Sequence, residues 1–525
     1  MPARPNVLFI LADQHNAKVL SCKGHPHAKT PYLDRLAAQG VRFDNAIVQN
    51  PICTPSRVCY ISGQYAHNHG YYGLSGPKPK GLPTIFGHFR RGGYRTAAIG
   101  KIHCPEYWVE DDCDEFHDTC DTSVGGRSKE YAKYLADRGL TDKEDHAAMQ
   151  EFGARGRQTI EGRPSMVSYE DGQEGWSVRK ACEFMGKATT EGKPFFMHVS
   201  LPKPHQCYTP ARQFWDLYDQ GKLTLPPNAD YDMEAAGKAP HLVASAKRYR
   251  QDPWQLFEPK TFEAGRLRKL HGYLGNVSHV DHAVGELLDW LDKSGLGEDT
   301  IVVYAADHGD YACEHGQLEK APGICSDAIT RVPMMWRWPG RFKTAHVERE
   351  IVETVDVSAT LCSLAGLEPF ETSDGKDISP LLAGQSRSMH RVGVTEFALS
   401  KSIRKGKWRM VFYPEGFFDE GSGAKIGTVP NNGTVPIFGE LYDLDADPWE
   451  MKNLYFAPQC RDVVADMTRE LADWLASTTR VATVLPMAVW DSDQATTRYQ
   501  NTVNADGKIS PDRVVEAKRK WPNYI

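Results

Sequence analysis

An α/β fold is predicted for this chain: a large mixed, mostly parallel sheet flanked by helices, followed by a small C-terminal antiparallel sheet with a helix. Two observations predict it. Short apolar strand candidates alternate with helical stretches over the first two-thirds of the sequence, and the pattern changes to closely spaced strands after about residue 385. A chain of 525 residues also exceeds one small core. We therefore predict a large α/β domain over 1–385, an α+β subdomain over 386–484, and an extended tail over 485–525.

The central sheet is predicted from five strand candidates. Each is mostly apolar and rich in β-branched or aromatic residues, which is typical of parallel strands that are buried on both faces. The five segments are Val7–Ala12, Thr96–Gly100, Phe195–Leu201, Ile301–Ala306 and Pro333–Trp338.

Helices are predicted in the connections between these strands. Thr30 is a candidate N-cap, Pro31 suits the first helical position, and Gly40 ends the segment. A longer helix is predicted over about 266–293, where apolar residues recur at helical spacing and indicate core packing. They are Leu270, Leu274, Val277, Val280, Val284, Leu287 and Leu291. The polar, weakly periodic stretch 104–175 predicts loops around one face of the sheet.

The C-terminal part of the chain predicts a separate, smaller sheet. Its strand candidates are Arg391–Phe397, Lys401–Pro414 and Glu440–Leu444, and a helix is predicted over Val463–Ser477. The residues that follow lack a convincing core of their own. This favours packing of the tail on the body of the protein or on a neighbouring subunit, so a homo-oligomer is expected.

Composition and charge argue against several classes of function. Hydrophobic residues make up 41% of the chain and charged residues 25%, as in ordinary globular enzymes, and the formal net charge of −6 gives no basic field for nucleic acid. No apolar run reaches the length of a membrane span. The stretch Asn6–Ala12 is too short for a signal peptide and predicts a buried strand, so a cytoplasmic location is expected. Twelve scattered cysteines indicate reduced thiols rather than a disulfide framework.

Two of the strand candidates end in potential metal ligands. Asp13 and Gln14 directly follow the first strand, and Asp307 and His308 directly follow the fourth. Residues just past the carboxyl ends of parallel strands face the ligand crevice, and oxygen-rich side chains suit a hard divalent cation. The sequence therefore predicts one cation site at this edge of the sheet. A turn or helix-cap role for each carboxylate is the alternative.

A third candidate element is the run from Cys53 to Arg57, which reads Cys-Thr-Pro-Ser-Arg. Pro55 and the residues after it favour a helix start, which would put the Cys53 side chain at a positive helix N-terminus. A small buried thiol is the alternative, since that is the usual environment of a lone cysteine. The pattern Cys-X-Pro-Ser-Arg is much narrower than a lone cysteine and favours a chemical role.

This motif resembles that of the sulfatases of the alkaline phosphatase superfamily, most closely their bacterial cytoplasmic branch of arylsulfatases, choline sulfatases and phosphonate monoester hydrolases. The resemblance extends from Asn6 to about Gly366 and continues in the segment 441–454. It implies an alkaline-phosphatase-like fold. In that family the cysteine is oxidised after translation to formylglycine, and its hydrate supplies the attacking oxygen. By resemblance, Cys53 is the precursor of the nucleophile, and a formylglycine-generating enzyme is an expected partner during maturation.

Other positions of the family occur in order along the chain. The segment 100–103 matches the family's Gly-Lys-X-His, so Lys101 and His103 are implied contacts for the sulfate and the nucleophile. His205 matches the histidine that follows a strand in Pro-His, and Lys320 falls where the family has a sulfate-binding lysine. The metal ligands that the resemblance implies are Asp13, Gln14, Asp307, His308 and the converted Cys53.

The resemblance implies hydrolysis of sulfate monoesters, on aryl or sugar alcohols, through a covalent sulfo-enzyme hemiacetal. A bound divalent cation would polarise a sulfuryl oxygen, and Arg57, Lys101 and Lys320 would add fixed positive charge. Arg57 is expected to hold the nucleophile in place. His103 is the candidate base that lets the hemiacetal collapse, and His205 is the candidate acid for the departing alcohol.

The chain departs from the family pattern at Gln14, where many sulfatases have a second Asp. Calcium, the family's commonest cation, is expected, with manganese or magnesium as alternatives. The phosphonate-hydrolase branch also carries Gln at this point, but it has an Asn where Leu74 stands here and lacks Gly-Lys-X-His. Sulfate esters are therefore favoured over a second hypothesis, a phosphonate monoester or phosphodiester hydrolase with the same nucleophile. A third hypothesis is a non-catalytic anion-binding protein with unconverted Cys53.

Aromatic side chains are candidates for stacking on an aryl group or a sugar ring, and they do not choose between these two alcohols. They are Tyr71, Tyr72, Tyr107, Trp108 and Tyr208.

Overall fold

The computed structural model describes residues 4–74, 79, 81–105, 107–121, 126–141, 162–251, 262–320, 325–385, 387–397, 400–414 and 438–480. The predicted tail 485–525 lies outside the described residues. The domain boundary near residue 385 stays a prediction.

Fourteen described strands form the sheets. In chain order they are β1 Asn6–Asp13, β2 Val41–Ile47, β3 Arg95–Gly100, β4 Glu115–Asp118, β5 Cys120–Asp121, β6 Gly126–Arg127, β7 Phe195–Pro204, β8 Thr300–Ala306, β9 Arg331–Arg337, β10 His346–Glu353, β11 Gly393–Phe397, β12 Ser400–Lys405, β13 Trp408–Tyr413 and β14 Phe438–Asp443. The main sheet has the order β10-β2-β9-β8-β1-β7-β3-β4. Among these eight strands only β9 runs antiparallel to its neighbours. The predicted mixed, mostly parallel sheet is confirmed.

All five strand candidates of the sheet are present, as β1, β3, β7, β8 and β9. Three further strands were missed: β2, β4 and β10. Among the described strands, β4 and β10 lie at the two edges of the main sheet. Three of the four residues of β4 are polar, and four of the eight residues of β10 are charged. A search for apolar runs therefore finds the centre of a parallel sheet more readily than its edges.

The described helices flank the main sheet or lie near the smaller one. They are Pro31–Ala38, Cys53–Ser62, Ala66–His69, Ile85–Arg91, Lys129–Asp137, Gln173–Thr190, Arg212–Trp215, Pro240–Gln251, Phe262–Ser294, Asp327–Thr330, Asp356–Leu364, Ser379–Leu382 and Arg461–Thr478. None of them is long and apolar enough to cross a membrane. The leucine and valine stripe predicted for core packing is buried along its whole length.

One local prediction is confirmed in position and another needs correction. Thr30 is the N-cap residue of the helix Pro31–Ala38, as predicted, but its side chain makes no capping bond. Instead the Thr30 hydroxyl oxygen accepts a bond from the Ser21 N–H, which ties the helix start to the preceding turn. The stretch 104–175 is not loop throughout, because it contributes β4 to the main sheet and the helix Lys129–Asp137.

The small sheet has the order β11-β12-β13-β14 and is antiparallel throughout. The single strand predicted over 401–414 is a hairpin of β12 and β13, and Gly406 in its turn has a φ of 55°, which favours glycine. The helix Arg461–Thr478 buries Met467, Leu471 and Trp474 in one cluster with residues of this sheet. The predicted antiparallel sheet with a helix is confirmed.

A buried ion pair ties the segment before β11 to the main body. His390 Nε2 lies 2.8 Å from Asp356 Oδ2, and His390 Nδ1 lies 3.5 Å from Glu353 Oε2. The Val394 N–H donates to the other oxygen of Glu353, 2.9 Å away. Burial alone would lower the pKa of His390, but the Asp356 and Glu353 carboxylates outweigh it and raise that pKa above 6.5.

Replacing His390 by glutamine should lower the free energy of unfolding in a pH-dependent way. Because the folded-state pKa is raised, the ion pair contributes fully below the unfolded pKa of about 6.5, and its contribution is lost as the pH rises through the folded-state pKa. We expect a loss of about 1–3 kcal/mol at pH 5.5 that shrinks toward pH 9. Urea unfolding of both proteins across this range measures it.

His27→Gln is the matched control for this prediction. His27 is a half-buried histidine whose Nε2 contacts the Thr224 hydroxyl, and burial lowers its pKa. The effect of His27→Gln on the free energy of unfolding should therefore change with pH in the opposite direction. If His390→Gln lowered the free energy of unfolding by the same amount at every pH, the ion pair would not explain the loss.

Candidate active site

The carboxyl ends of three adjacent parallel strands form the floor of the candidate site. β1 lies between β7 and β8. The His205 N–H, just past β7, donates to the Asp13 carbonyl at 3.1 Å, and the Asp307 N–H, just past β8, donates to the Ala12 carbonyl at 3.1 Å. Asp13, His205 and Asp307 are thereby held side by side. The predicted meeting of the two acidic strand ends is present.

Cys53 is the first residue of the helix Cys53–Ser62, which extends from the edge where these strands end. The Ser56 N–H donates to the Ile52 carbonyl and closes the first turn, where Pro55 is tolerated because its missing N–H is not needed. The thiol is buried at 2% exposure, with Sγ 3.1 Å from His308 Nε2 and 3.9 Å from Asp13 Oδ1. The nucleophile candidate therefore faces both strand ends.

Four side chains at this point fit a divalent cation. Ligand atoms of Asp13, Cys53, Asp307 and His308 all lie within 4.8 Å of one another, and all four residues are buried. His308 Nδ1 donates to the Gly309 carbonyl at 3.0 Å, so Nε2 is the ring nitrogen that faces the cluster. Two carboxylates, an imidazole and the position-53 side chain are a donor set that suits a hard or borderline cation.

Gly309 is required by the packing of this loop. A Cβ atom at Gly309 would lie 1.9 Å from the Ala328 carbonyl oxygen. Gly100, before the Lys101 loop, combines a φ of 97° with a similarly close approach to the Ser200 carbonyl oxygen. Both motif glycines therefore let a ligand-bearing loop lie against a neighbouring backbone.

Arg57 lies one turn after Cys53 and joins the two acidic strand ends. Its Nε donates to Asp307 Oδ2 at 2.9 Å and its Nη2 to Asp13 Oδ2 at 3.1 Å. Its Nη1 donates to the Lys101 carbonyl at 2.5 Å and to Ser200 Oγ at 2.7 Å. Each carboxylate thus gives Oδ2 to Arg57, while the Oδ1 atoms lie near His308 Nε2. Arg57 therefore holds the two ligand carboxylates in place.

Lys101 and His103 come from the loop that follows β3. Lys101 Nζ lies 2.6 Å from Asp13 Oδ2, and the Ile102 N–H donates to Asp118 Oδ1 at 3.3 Å, which fixes the loop between them. His103 is in a left-handed conformation with a φ of 47°, and its buried imidazole lies close enough to Cys53 for the thiol to influence its pKa. Both predicted residues therefore reach the thiol region.

His205, Lys320 and Gln14 form one hydrogen-bonded group beside the thiol. Lys320 Nζ donates to His205 Nε2 and to Gln14 Oε1, both at 3.0 Å. His205 Nδ1 donates to the Gln206 carbonyl at 2.6 Å, so the imidazole carries its proton on Nδ1. Gln14 itself is left-handed, with a φ of 70°, where the chain turns out of β1.

The cationic side chains make the Cys53 thiol acidic. Burial raises its pKa, but Lys320, His308 and Lys101 outweigh burial and hold the pKa well below the usual value. The same arrangement lowers the pKa of Asp13, because Lys101, His205 and Arg57 oppose the effects of burial and of Cys53.

The other groups of the cluster shift in the directions that their neighbours impose. Burial and the Asp13 charge raise the pKa of Asp307. The Asp307 and Cys53 charges raise that of His308 against burial. The cluster is thus a set of anionic ligands closed in by fixed positive charge, which is the arrangement that a cation and an anionic ester require.

Asp310 and Gln206 were not predicted as site residues, although both contact Gln14. Gln14 Nε2 donates to Asp310 Oδ2 at 2.6 Å and to Gln206 Oε1 at 3.4 Å. Asp310 lies three residues beyond Asp307, so its position in Asp-His-Gly-Asp was a usable signal. Gln206 follows His205, and nothing in its local sequence indicates a role in the site.

The stacking prediction for aromatic residues is wrong for three of the five. Tyr71, Trp108 and Tyr208 are at most 1% exposed, so no ring face is available to a ligand. The Trp108 indole donates to the Leu82 carbonyl, and the Tyr208 hydroxyl donates to Asp310 Oδ2. Tyr107, at 62% exposure, remains accessible.

Comparison with known proteins agrees with this geometry. The family model described as Sulfatase matches residues 5–367. The choline-sulfatase of Rhizobium meliloti (strain 1021) is 27% identical over 473 residues, which cover 87% of this chain and 83% of that protein. The arylsulfatase of Clostridium perfringens (strain 13 / Type A) is 26% identical over 474 residues, which cover 86% of this chain and 90% of that protein.

A solved structure shares the fold. The phosphonate monoester hydrolase of Agrobacterium radiobacter superposes with a TM-score of 0.71 at 20% identity, and the match covers 90% of this chain and 96% of that one. The family match spans more than two-thirds of the sequence and includes both strand ends, Cys53 and Lys320. The chain therefore belongs to the sulfatase family of the alkaline phosphatase superfamily, a family of sulfuric ester hydrolases.

Proposed function

We propose that this sulfatase hydrolyses sulfate monoesters with a formylglycine nucleophile made from Cys53. The observation that carries the proposal is the environment of the Cys53 side chain. Cys53 begins a helix, is one of the four potential cation ligands, and faces the charges of Lys101 and Lys320. A sulfuryl group bound there would meet the nucleophile and the groups that stabilise its negative oxygens in one place.

Asp13, Gln14, Asp307, His308 and the converted position 53 would hold a divalent cation in this proposal. Such a cation polarises a sulfuryl oxygen and favours the ionised nucleophile. Calcium is the expected ion, with manganese and magnesium as the alternatives. Arg57 keeps Asp13 and Asp307 fixed through their Oδ2 atoms.

His103 is proposed as the base that lets the covalent sulfo-enzyme hemiacetal collapse to the aldehyde and release sulfate. Burial lowers its pKa, so the imidazole is neutral and able to accept a proton at neutral pH. Its side chain lies within the electrostatic influence of position 53, from which the proton has to leave.

The proton for the departing alcohol is assigned to the Lys320–His205 pair. Burial, Lys101 and Lys320 lower the pKa of His205 to about 4, so its imidazole is neutral at neutral pH. Its Nε2 accepts a bond from the Lys320 ammonium and has no proton of its own to give. This refines the assignment of His205 alone as the acid: Lys320 carries the proton, and His205 orients it.

Mass spectrometry of the tryptic fragment 43–57, which contains Cys53, tests the proposal. In protein from a host that carries the converting enzyme, we expect a mass deficit that matches replacement of CH2–SH by an aldehyde, and its absence in Cys53→Ala. An unmodified thiol in such protein would reject the nucleophile and move the non-catalytic anion-binding hypothesis to the front.

A second candidate, a phosphonate monoester or phosphodiester hydrolase, uses the same residues. It is favoured by one observation, the Gln14–Asp310 arrangement at the cation site in place of a second Asp ligand. The Gly-Lys-X-His segment, whose Lys101 and His103 reach the thiol region, favours sulfate. Relative rates on matched aryl sulfate and aryl phosphodiester substrates separate the two candidates.

Three expectations accompany the proposal. A formylglycine-generating enzyme acts on the chain during maturation, the protein works in the cytoplasm, and the tail 485–525 contributes to a homo-oligomer. Each stays a prediction.

A further inference from the structure

The side-chain amide of Gln14 has two unequal ends, and its surroundings accept only one orientation. Its Nε2 faces Asp310 Oδ2 at 2.6 Å, and its Oε1 faces Lys320 Nζ at 3.0 Å. An amide flip would bring the Gln14 oxygen against a carboxylate oxygen and its NH2 group against an ammonium group. Both new contacts would be repulsive, so the orientation is fixed by chemistry.

A second amide supports the same orientation. Gln206 Oε1 accepts the remaining hydrogen of Gln14 Nε2 at 3.4 Å. Gln206 cannot flip either, because its Nε2 donates to Glu319 Oε2 at 3.0 Å. Both hydrogens of the Gln14 NH2 group are therefore used on the side away from Lys320.

The carboxylate of Asp310 is itself held in place. Its Oδ1 accepts the Ala312 N–H at 2.6 Å, and its Oδ2 accepts the Tyr208 hydroxyl at 2.7 Å in addition to Gln14. Asp310 is fully buried and accepts every one of these bonds, so it presents only acceptor atoms to Gln14. The carboxyl group that is absent at position 14 is thus present at Asp310, in contact with the Gln14 amide.

We infer that Asp310 is a positioning residue that turns the amide oxygen of Gln14 toward Lys320 and the cation site, and so makes Gln14 an oxygen ligand. The inference rests on the cation site of the proposed function. The Gln14 carbonyl has two lone pairs, so one can accept from Lys320 while the other binds the cation. A partner behind a metal ligand fixes which atom the ligand presents.

The test is direct binding of Ca²⁺ and Mn²⁺ to the metal-stripped, full-length protein, measured by isothermal titration calorimetry. Asp310→Asn should weaken binding by ~10–100-fold, because the amide introduced at position 310 can offer an NH2 group to the Gln14 oxygen and so removes one of the two contacts that oppose a flip, leaving only that of Lys320. The double variant Asp310→Asn with Gln14→Glu should bind within several-fold of the wild type. A carboxylate at position 14 presents an oxygen in either orientation, and the NH2 group introduced at position 310 can donate to it.

Tyr208→Phe is the matched control. It removes a hydrogen bond to the same Asp310 oxygen but leaves the Asp310–Gln14 contact in place. We expect its cation affinity to stay close to that of the wild type. A loss as large as that of Asp310→Asn would mean that general disturbance around Asp310 explains the effect, and the inference would fall.

Gln14→Glu alone extends the test to the case in which Asp310→Asn does not fold. A carboxylate ligand normally strengthens cation binding, but here it would face Asp310 Oδ2 and should weaken it. Stronger binding by Gln14→Glu, wild-type binding by Asp310→Asn, or a double variant no better than the single one would each overturn the inference. A wild-type protein that binds neither cation rejects the proposed cation site itself, which distinguishes the two failures.

Discussion

Cys53→Ala is expected to lower sulfate ester turnover by about 10⁴-fold or more. Alanine cannot become formylglycine, so the variant lacks the oxygen that is proposed to attack the sulfuryl group. The fold should persist. Alanine fills most of the space of a buried thiol, and the first turn of the helix Cys53–Ser62 is closed by the Ser56 N–H and not by the side chain. Turnover of an aryl sulfate, with circular dichroism to verify folding, measures the effect.

Cys59→Ala is the matched control for this loss. Cys59 lies in the same helix, is equally buried, and contacts the His69 ring, 3.2 Å away, instead of the cation ligands. Burial raises the pKa of Cys59 well above its usual value, whereas that of Cys53 is lowered. We expect turnover to change little in Cys59→Ala. Comparable losses in both variants would show that packing of the helix, and not the chemistry of Cys53, limits activity.

The features that were predicted correctly are those that a few neighbouring residues of the sequence indicate. Asp13 and Asp307 were found because each follows an apolar strand directly, and parallel strands bring their carboxyl ends to one edge. The helix start at Cys53 was found because Pro55 belongs in a first turn. In each case a few neighbouring residues carry the signal.

What the sequence did not predict depends on contacts between distant segments. The neutral state of His205 follows from its burial and from Lys101 and Lys320, which arrive from two other loops. Arg57 was predicted to hold the nucleophile, which stays a prediction, and its bonds to Asp13 and Asp307, which are far apart in the sequence, were not predicted. Such partners have no fixed spacing along the chain and become visible only in the fold.

The edges of the sheet were missed for a related reason. β10 carries a run of charged residues, and its first half is partly exposed. Alternating or polar patterns of this kind also occur in helices and loops, so they do not identify a strand by themselves. The missed strands lie away from β1, β7 and β8, which build the site, and the site prediction was unaffected.

Arg57→Met should cost both stability and activity. Methionine keeps much of the volume but leaves the Oδ2 atoms of Asp13 and Asp307 without Arg57, all three side chains being fully buried. Breaking a buried ion pair on one side costs about 3–5 kcal/mol of the free energy of unfolding. Turnover should fall by ~10³-fold, because the two carboxylates lose the group that fixes their positions.

A divalent cation should restore part of this stability. In Arg57→Met protein freed of metal by a chelator, Asp13 and Asp307 face one another with less positive charge between them. A cation bound at their Oδ1 atoms should therefore stabilise the folded variant more than it stabilises the wild type. We therefore expect added Ca²⁺ or Mn²⁺ to raise the free energy of unfolding more in Arg57→Met than in the wild type. Chemical unfolding with chelator and with cation measures the difference.

Arg409→Met separates this effect from the loss of any buried ion pair. Arg409 pairs with Glu450, and both side chains are 2% exposed, but neither belongs to the cation cluster. Its loss should destabilise the protein by a similar amount, and added cation should stabilise this variant no more than it stabilises the wild type. A cation-dependent gain in Arg57→Met that exceeds the one in Arg409→Met would locate the ion between Asp13 and Asp307. Equal gains would place it elsewhere and remove Arg57 from the support of the ligands.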